Sequence, residues 1–411
     1  MQNLASTHPW LILAAGALVQ IFTGIPSAWA IFRGPVMQGY SLDAGACETI
    51  FSWLLGAYGL GCLAGGLLQD KQGPRRAALL GTGLIGLGFA WAGAAPAGAP
   101  ALLAGGFSLP VGLGCACLTP AVLTCAQKWN AHRRGLATGV IGGAMGASGL
   151  VLTALVEFFC RRWGIRVCFW VLGGILTLVC GAGSLLLCEP PPPAQRPQDQ
   201  GRADPRPPEA GPGQMVRTRA FWVLFACAGL ATPAVQLFGP ILPDLAAQRG
   251  LPESAPALAV TLGSLGSAAG RLLMPALSDR TGRRSTDLAL FAGLGVFSLL
   301  FWKLGGWWMV PLYCGLCLCY AGQAALLPAL CSDRFGLAHA GVNYGCCALG
   351  MSLGSLGFPL LARRLDPAAG RHWIALAAAA AGFGALLTLP GAPKGPRHRE
   401  SRSCGRGPGK S

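Results

Sequence analysis

Gly66-Leu67-Leu68-Gln69-Asp70-Lys71-Gln72-Gly73-Pro74-Arg75-Arg76 returns in the second half of the chain as Pro275-Ala276-Leu277-Ser278-Asp279-Arg280-Thr281-Gly282-Arg283-Arg284. The shared order is an acid, a base, a glycine and an arginine pair, and each copy closes a long apolar run. One such turn is a common end to a membrane helix. Two copies in register, Asp70 with Asp279 and Gly73 with Gly282, mark an internal repeat of about half the chain. A second echo supports it: Pro120 matches Pro328, and Gly142, Gly146 and Gly149 match Gly350, Gly354 and Gly357. Two parallel repeats around a midplane site describe one class of secondary transporter.

The surrounding sequence reads as lipid-soluble. Hydrophobic residues make up 53% of the 411, and charged residues only 11%. A soluble domain carries about 25%. Runs of the roughly 20 apolar residues that cross a bilayer core are predicted over 10–32, 50–68, 76–95, 102–127, 135–159 and 167–188. Six more follow over 221–245, 255–277, 287–304, 307–331, 340–361 and 373–390. The expected fold is therefore an all-α membrane protein with twelve transmembrane helices in two six-helix repeats. Residues 1–189 form the first half and 220–390 the second. Residues 190–219 and 391–411, rich in Pro, Arg and Gly, lack the apolar content to bury a core. They are read as a disordered linker and a disordered basic tail.

The net charge of +16 follows topology rather than nucleic acid. Of 31 Lys and Arg, 21 fall in the linker, the tail and the alternate loops that join them on one face. By the positive-inside rule that face and both termini are cytosolic, with the plasma membrane the default location. Seventeen cysteines lie mostly inside apolar runs, where a thiol packs as a small hydrophobe. The cluster Cys314, Cys317 and Cys319 has no His or carboxylate companion for zinc. No metal or cofactor is expected. No nucleophile–base pair appears either, so the chain is not read as an enzyme.

The loop motif resembles the signature of the major facilitator superfamily. Gly270-Arg271, Pro275, Ser278-Asp279, Pro328-Ala329, Asp333, Phe335-Gly336 and Asn343-Tyr344-Gly345 narrow the similarity to the oxalate/formate antiporters and their monocarboxylate-transporter relatives. Gly24, Ala28-Trp29, Lys128-Trp129 and Arg134-Gly135 agree in the first half.

Arg271 is the sharpest functional candidate. It precedes Asp279 by eight residues, which places it about 12 Å into the membrane. A charge at that depth costs at least about 2.5–3.5 kcal/mol. An unpaired guanidinium there suits a carboxylate's two oxygens; the alternative is an arginine held by backbone carbonyls or snorkelling outward. The resemblance implies that it contacts the substrate carboxylate. Trp29, Gln20, Gln236, Tyr320 and Gln323 are further candidates for the substrate cavity, while Asn343 and Tyr344 read as structural. Asp70, Arg75, Arg76, Asp279, Arg280, Arg283 and Arg284 are expected to pair across the cytosolic face and to part as the halves rock. The glycines of the fifth helix read as a close-packing face.

The departures narrow the substrate. The oxalate antiporters carry a lysine in helix 11 where this chain has Met351, and the monocarboxylate transporters one in helix 1 that is absent here. Ser27 stands where the oxalate/formate group shows tyrosine. One deep cation balances a monoanion better than a dianion. The reading is a carrier for a small organic anion, a monocarboxylate, with a proton or counter-anion as possible co-substrate and any accessory subunit unknown. Alternatives are a facilitator for a neutral or lipophilic solute, or a non-transporting sensor or scaffold.

Overall fold

The computed structural model describes residues 9–190, 209–252, 254–362, 364 and 370–389, and its regular structure is helical throughout those residues. Twelve spans form two sets of six. In the first set, span 1 is Pro9–Thr23 continued by Ile25–Tyr40. Span 2 is Ala44–Gln72 and span 3 is Pro74–Ala94. Span 4 enters through Pro100–Leu103 and a π-helical turn, then runs over Leu109–Trp129. Spans 5 and 6 share one stretch, Arg134–Leu186, of 53 residues. Straight, it would measure about 80 Å, far beyond a bilayer core of about 30 Å. Gly164, at φ 76° and ψ 171°, turns it into two.

In the second set, span 7 is broken into Arg219–Leu230, Pro233–Gln236 and Leu242–Gln248, with a 3₁₀ turn between the last two. Spans 8 and 9 are Ser254–Thr281 and Arg283–Lys303. Spans 10, 11 and 12 are Met309–Phe335, Ala340–Ala362 and Gly370–Leu387. The repeated motif supplies matching hinges. Gly73 (φ 86°) separates spans 2 and 3, and Gly282 (φ 94°) separates spans 8 and 9. That left-handed conformation penalises a Cβ.

Several helices outrun their predicted limits. Span 2 begins at Ala44 rather than residue 50, and span 1 continues to Tyr40. Hydropathy marks the hydrocarbon core, whereas a helix continues through the headgroup layer while its backbone bonds hold. The break in span 1 falls at Gly24, whose carbonyl accepts from Ser148 Oγ at 3.4 Å. Large side chains such as Leu150 (70% exposed) and Leu178 (75%) point outward, as expected where lipid is the solvent.

Each half has its own core. Trp29, Phe32, Phe89, Phe107 and Phe169 stack in the first, and Phe238, Phe301 and His372 in the second. The described cysteines are free thiols. Cys314, Cys317 and Cys319 occupy the notches left by Gly266, Gly263 and Gly293 of spans 8 and 9. Their spacing is explained by helix packing.

The end of the expected linker is not loose. Met215 is fully buried, and Glu209 Oε2 accepts the Ala338 N–H at 2.8 Å. Asn343 Nδ2 donates to the Ala210 carbonyl at 2.9 Å. One buried methionine and paired backbone groups suffice to dock residues 209–216 on the loop between spans 10 and 11. The remainder of the expected linker, 191–208, and the tail, 391–411, lie outside the described residues.

Candidate functional site

A cavity of about 620 Å³ lies between the halves. Spans 1, 2, 4 and 5 line it from one side, and spans 7, 8, 10 and 11 from the other. On the linker face the halves touch along two helix pairs. Gly341 and Gly345 of span 11 sit on span 2, where a Cβ on Gly345 would stand 2.7 Å from the Cys62 carbonyl oxygen. Gly135 and Gly139 of span 5 sit on span 8, with the corresponding distances 2.1 Å to Pro275 O and 2.5 Å to Leu272 O. The pairing by contact is thus Gly135 with Gly341 and Gly139 with Gly345. The glycine echo seen in sequence does not share a role. Gly142 and Gly146 face Arg271 and Ala268 across the cavity boundary, whereas Gly350 and Gly354 pack on Phe225 and Gly229 of their own half.

Polar contacts seal the same face. Asp70 accepts the N–H groups of Gly341 and Val342 at 3.2 and 2.9 Å. Asp279 accepts those of Gly135 and Leu136 at 3.1 and 3.0 Å. Each carboxylate sits at the positive end of a helix from the opposite half. Arg134 crosses to Asp333 at 3.1 Å, and Arg283 joins Asp333 (2.9 Å) to Asp279 (2.6 Å). Buried Gln127 Oε1 accepts from Ser332 Oγ at 2.7 Å.

The expected gating set therefore divides. Asp70, Asp279 and Arg283 build the seal. Arg284 instead donates to the Leu386 and Leu387 carbonyls, closing the end of span 12. Arg75, Arg76 and Arg280 are exposed and form no side-chain hydrogen bond or ion pair among the described residues. The crossing ion pair uses Arg134 and Asp333; the motif acids cross through backbone N–H groups, because those lie nearest once the helices pack glycine to backbone.

Arg271 lines the cavity, partly buried, on span 8. Its Nε is buried without a hydrogen-bond partner, and among the described residues it forms no ion pair. Neither backbone capture nor a surface partner accounts for it. Tyr320 and Tyr344 lie within its electrostatic reach. Arg271 is the one formal charge on the described lining, which holds no carboxylate.

Gln20, Gln236 and Tyr320 also line the cavity, and Gln236 Nε2 donates to Ser355 Oγ at 3.2 Å. Two expected residues do not. Trp29 is 5% exposed and stacks on Phe51 with centroids 6.2 Å apart. It backs the wall, and Phe51 forms its surface. Gln323 is fully buried and both its amide atoms lack partners. The rotation of span 10 turns Tyr320, Ala324 and Pro328 inward and Gln323 away. Conversely Tyr344, read as structural, lines the cavity with Tyr58, Thr119, Tyr313 and Met351. The i,i+4 spacing of Tyr58 with Cys62, and the i,i+7 spacing of Tyr313 with Tyr320, were the available signals for one inward face.

One buried acid was not anticipated. Asp287, in the second turn of span 9, is fully buried with both oxygens unpartnered. It does not line the cavity and so does not neutralise Arg271.

Two six-helix halves enclosing a shared central cavity, sealed at one face by helix-end contacts, have the architecture of a multi-pass membrane transporter. The chain belongs to the major facilitator superfamily, whose sequence profile matches residues 11–236 and 224–406. It is 24% identical over 350 residues to the oxalate:formate antiporter of Oxalobacter formigenes, spanning 82% of this chain and 80% of that protein. It is 31% identical over 218 residues to monocarboxylate transporter 11 of Homo sapiens, spanning 53% of this chain and 44% of that protein. Its fold resembles that of the transporter FucP, solved in the outward conformation. There the TM-score is 0.70 at 15% identity, covering 93% of this chain and 99% of that one.

Proposed function

We propose that this protein carries a small organic monoanion, a monocarboxylate, whose carboxylate is held by Arg271 in the central cavity. The observation that carries the reading is the unpartnered guanidinium, the one formal charge on the described cavity lining. A buried cation without a partner is costly, and a carboxylate removes that cost with two hydrogen bonds in a matched fork. Met351, on the lining at the place where the oxalate antiporters resemble this chain but carry lysine, leaves the cavity with a single charge to balance. Similarity to an oxalate:formate antiporter and a monocarboxylate transporter supports the substrate class.

Transport proceeds by alternating access. The linker face is cytosolic by the lysine and arginine count, both termini lie there, and the plasma membrane is the proposed location. The glycine contacts and the contacts of Asp70, Asp279 and Asp333 gather on that face, so the described state opens outward. Return to the inward state breaks the Arg134–Asp333 pair and frees both helix N-termini. No Asp, Glu or His stands on the described lining, which favours exchange or uniport over a side-chain proton relay.

Purified protein in liposomes, assayed with labelled pyruvate, lactate, formate and oxalate, tests this. Uptake of a monocarboxylate that falls at least about 100-fold in Arg271→Ala is expected, since loss of a charge-assisted bidentate contact costs roughly 3 kcal/mol. Uptake that survives the substitution sinks the anchoring role. No uptake of any solute favours a sensor or scaffold.

A further inference from the structure

The wall of the cavity built by spans 1, 2 and 4 holds a hydrogen-bond network with a fixed polarity. Thr119 Oγ1 donates to the Cys115 carbonyl at 2.9 Å. Its only hydrogen is thereby used, so the same oxygen acts as acceptor toward its other neighbours. Gln20 Nε2 donates to it at 3.4 Å, and the Tyr58 hydroxyl lies 3.1 Å away. With the threonine hydrogen committed, Tyr58 is the donor of that pair. Tyr58 thus points its hydrogen into the wall, and Gln20 turns one of its two amide hydrogens there.

What the wall leaves without a partner is an acceptor. Gln20 is 1% exposed, lines the cavity, and its Oε1 is buried without a partner. The Tyr58 oxygen keeps lone pairs on the same lining. A buried acceptor left unsatisfied costs free energy that a ligand donor recovers. An unpaired carbonyl oxygen takes a hydrogen-bond donor and, being neutral, gives an ammonium no counter-charge. The same lining carries apolar and aromatic side chains, among them Phe51, Leu55, Leu123, Ile141 and Met145.

We propose that the substrate is a hydroxylated monocarboxylate: an apolar body with its carboxylate on Arg271 and a hydroxyl at the far end, donating to Gln20 Oε1. Thr119 is a positioning residue that holds the amide in the accepting orientation. The proposal rests on the anchoring role of Arg271 given above.

Binding titrations on the purified full-length protein test it with matched acids: butyrate against 4-hydroxybutyrate, and phenylacetate against 4-hydroxyphenylacetate, with glutarate as the dicarboxylate. The hydroxylated member of at least one pair is expected to bind about 5- to 10-fold tighter, the value of one neutral hydrogen bond, and glutarate to bind more weakly than either. In Gln20→Leu the ratio falls toward one. Thr119→Val, nearly isosteric, lowers the same ratio by letting the amide turn, and guards against a folding defect in the first variant. A ratio of one for both pairs in the unaltered protein overturns the proposal, as does a ratio that Gln20→Leu leaves intact. Dependence on Arg271 with no hydroxyl preference defeats this inference alone. Binding that survives Arg271→Gln, or no binding of any acid, defeats the anchoring role and this inference with it.

Discussion

Asp70 and Asp279 take the same position on opposite halves: each carboxylate caps the first turn of a helix that belongs to the other half. Asp70 holds Gly341 and Val342 of span 11, and Asp279 holds Gly135 and Leu136 of span 5. The free N–H groups and the dipole of a helix start attract an anion, so two copies of one loop motif produce a two-fold clasp. A charge in this setting is worth about 1–2 kcal/mol when partly buried.

The clasp makes separable predictions for amide hydrogen exchange. Asp279→Ala is expected to speed exchange about tenfold at Gly135 and Leu136 while leaving Gly341 and Val342 unchanged. Asp70→Ala is expected to do the reverse. Equal acceleration at both sites would show that the two ends open as one unit.

Among the described residues, the Arg134–Asp333 contact is the ion pair that joins the halves, with side-chain exposures of 19% and 27%. Removing Asp333 also strips a partner from Arg283, so Asp333→Ala should lower the unfolding midpoint more than Arg134→Ala does. A double-mutant cycle between the two is expected to give a coupling of about 1 kcal/mol. Raising salt from low to molar concentration shrinks it through screening.

Three glycines should respond differently to alanine. A Cβ on Gly350 would stand 2.1 Å from the Phe225 carbonyl oxygen inside one half, and the loss of fit is expected to cost about 1–3 kcal/mol of stability. A Cβ on Gly139 meets Leu272 O across the halves at 2.5 Å. Gly139→Ala should therefore disfavour the closed linker face and change transport more than the unfolding midpoint. Gly149 meets nothing within 4 Å, and its alanine variant should match the parent in both assays.

Met351 lines the cavity with Arg271. Met351→Lys supplies a second cation, so oxalate uptake relative to formate should rise at least about tenfold as the dianion gains a partner. An unchanged ratio would place Met351 off the anion's path.

Trp29 contributes through the wall rather than by contact. Trp29→Ala opens the aromatic cluster that backs Phe51 and is expected to cost about 3–5 kcal/mol of stability. Affinity per folded molecule should stay within about threefold. A much larger loss of affinity with an unchanged unfolding midpoint would instead make Trp29 a substrate contact.

The sequence by itself determined the twelve spans, the repeat and the distance of Arg271 from a helix-end motif. Length, hydropathy and a motif at fixed distance from a helix end are one-dimensional quantities, and the bilayer turns them into position along its normal. Rotation about each helix axis has no such ruler. Lipid tails are as apolar as leucine, so an inward face is not marked by hydrophobicity as it is in water. Hence Gln323 and Trp29 read as cavity residues yet face the packing, while Tyr344 read as packing yet faces the cavity. The glycine echo marks the repeat but not the contacts, since one spacing serves span 8 across the halves and span 7 within one. Only the tertiary structure, by fixing those rotations through glycine-to-backbone contacts, decided that Arg271 faces Gln20, Tyr58 and Thr119 across one shared cavity.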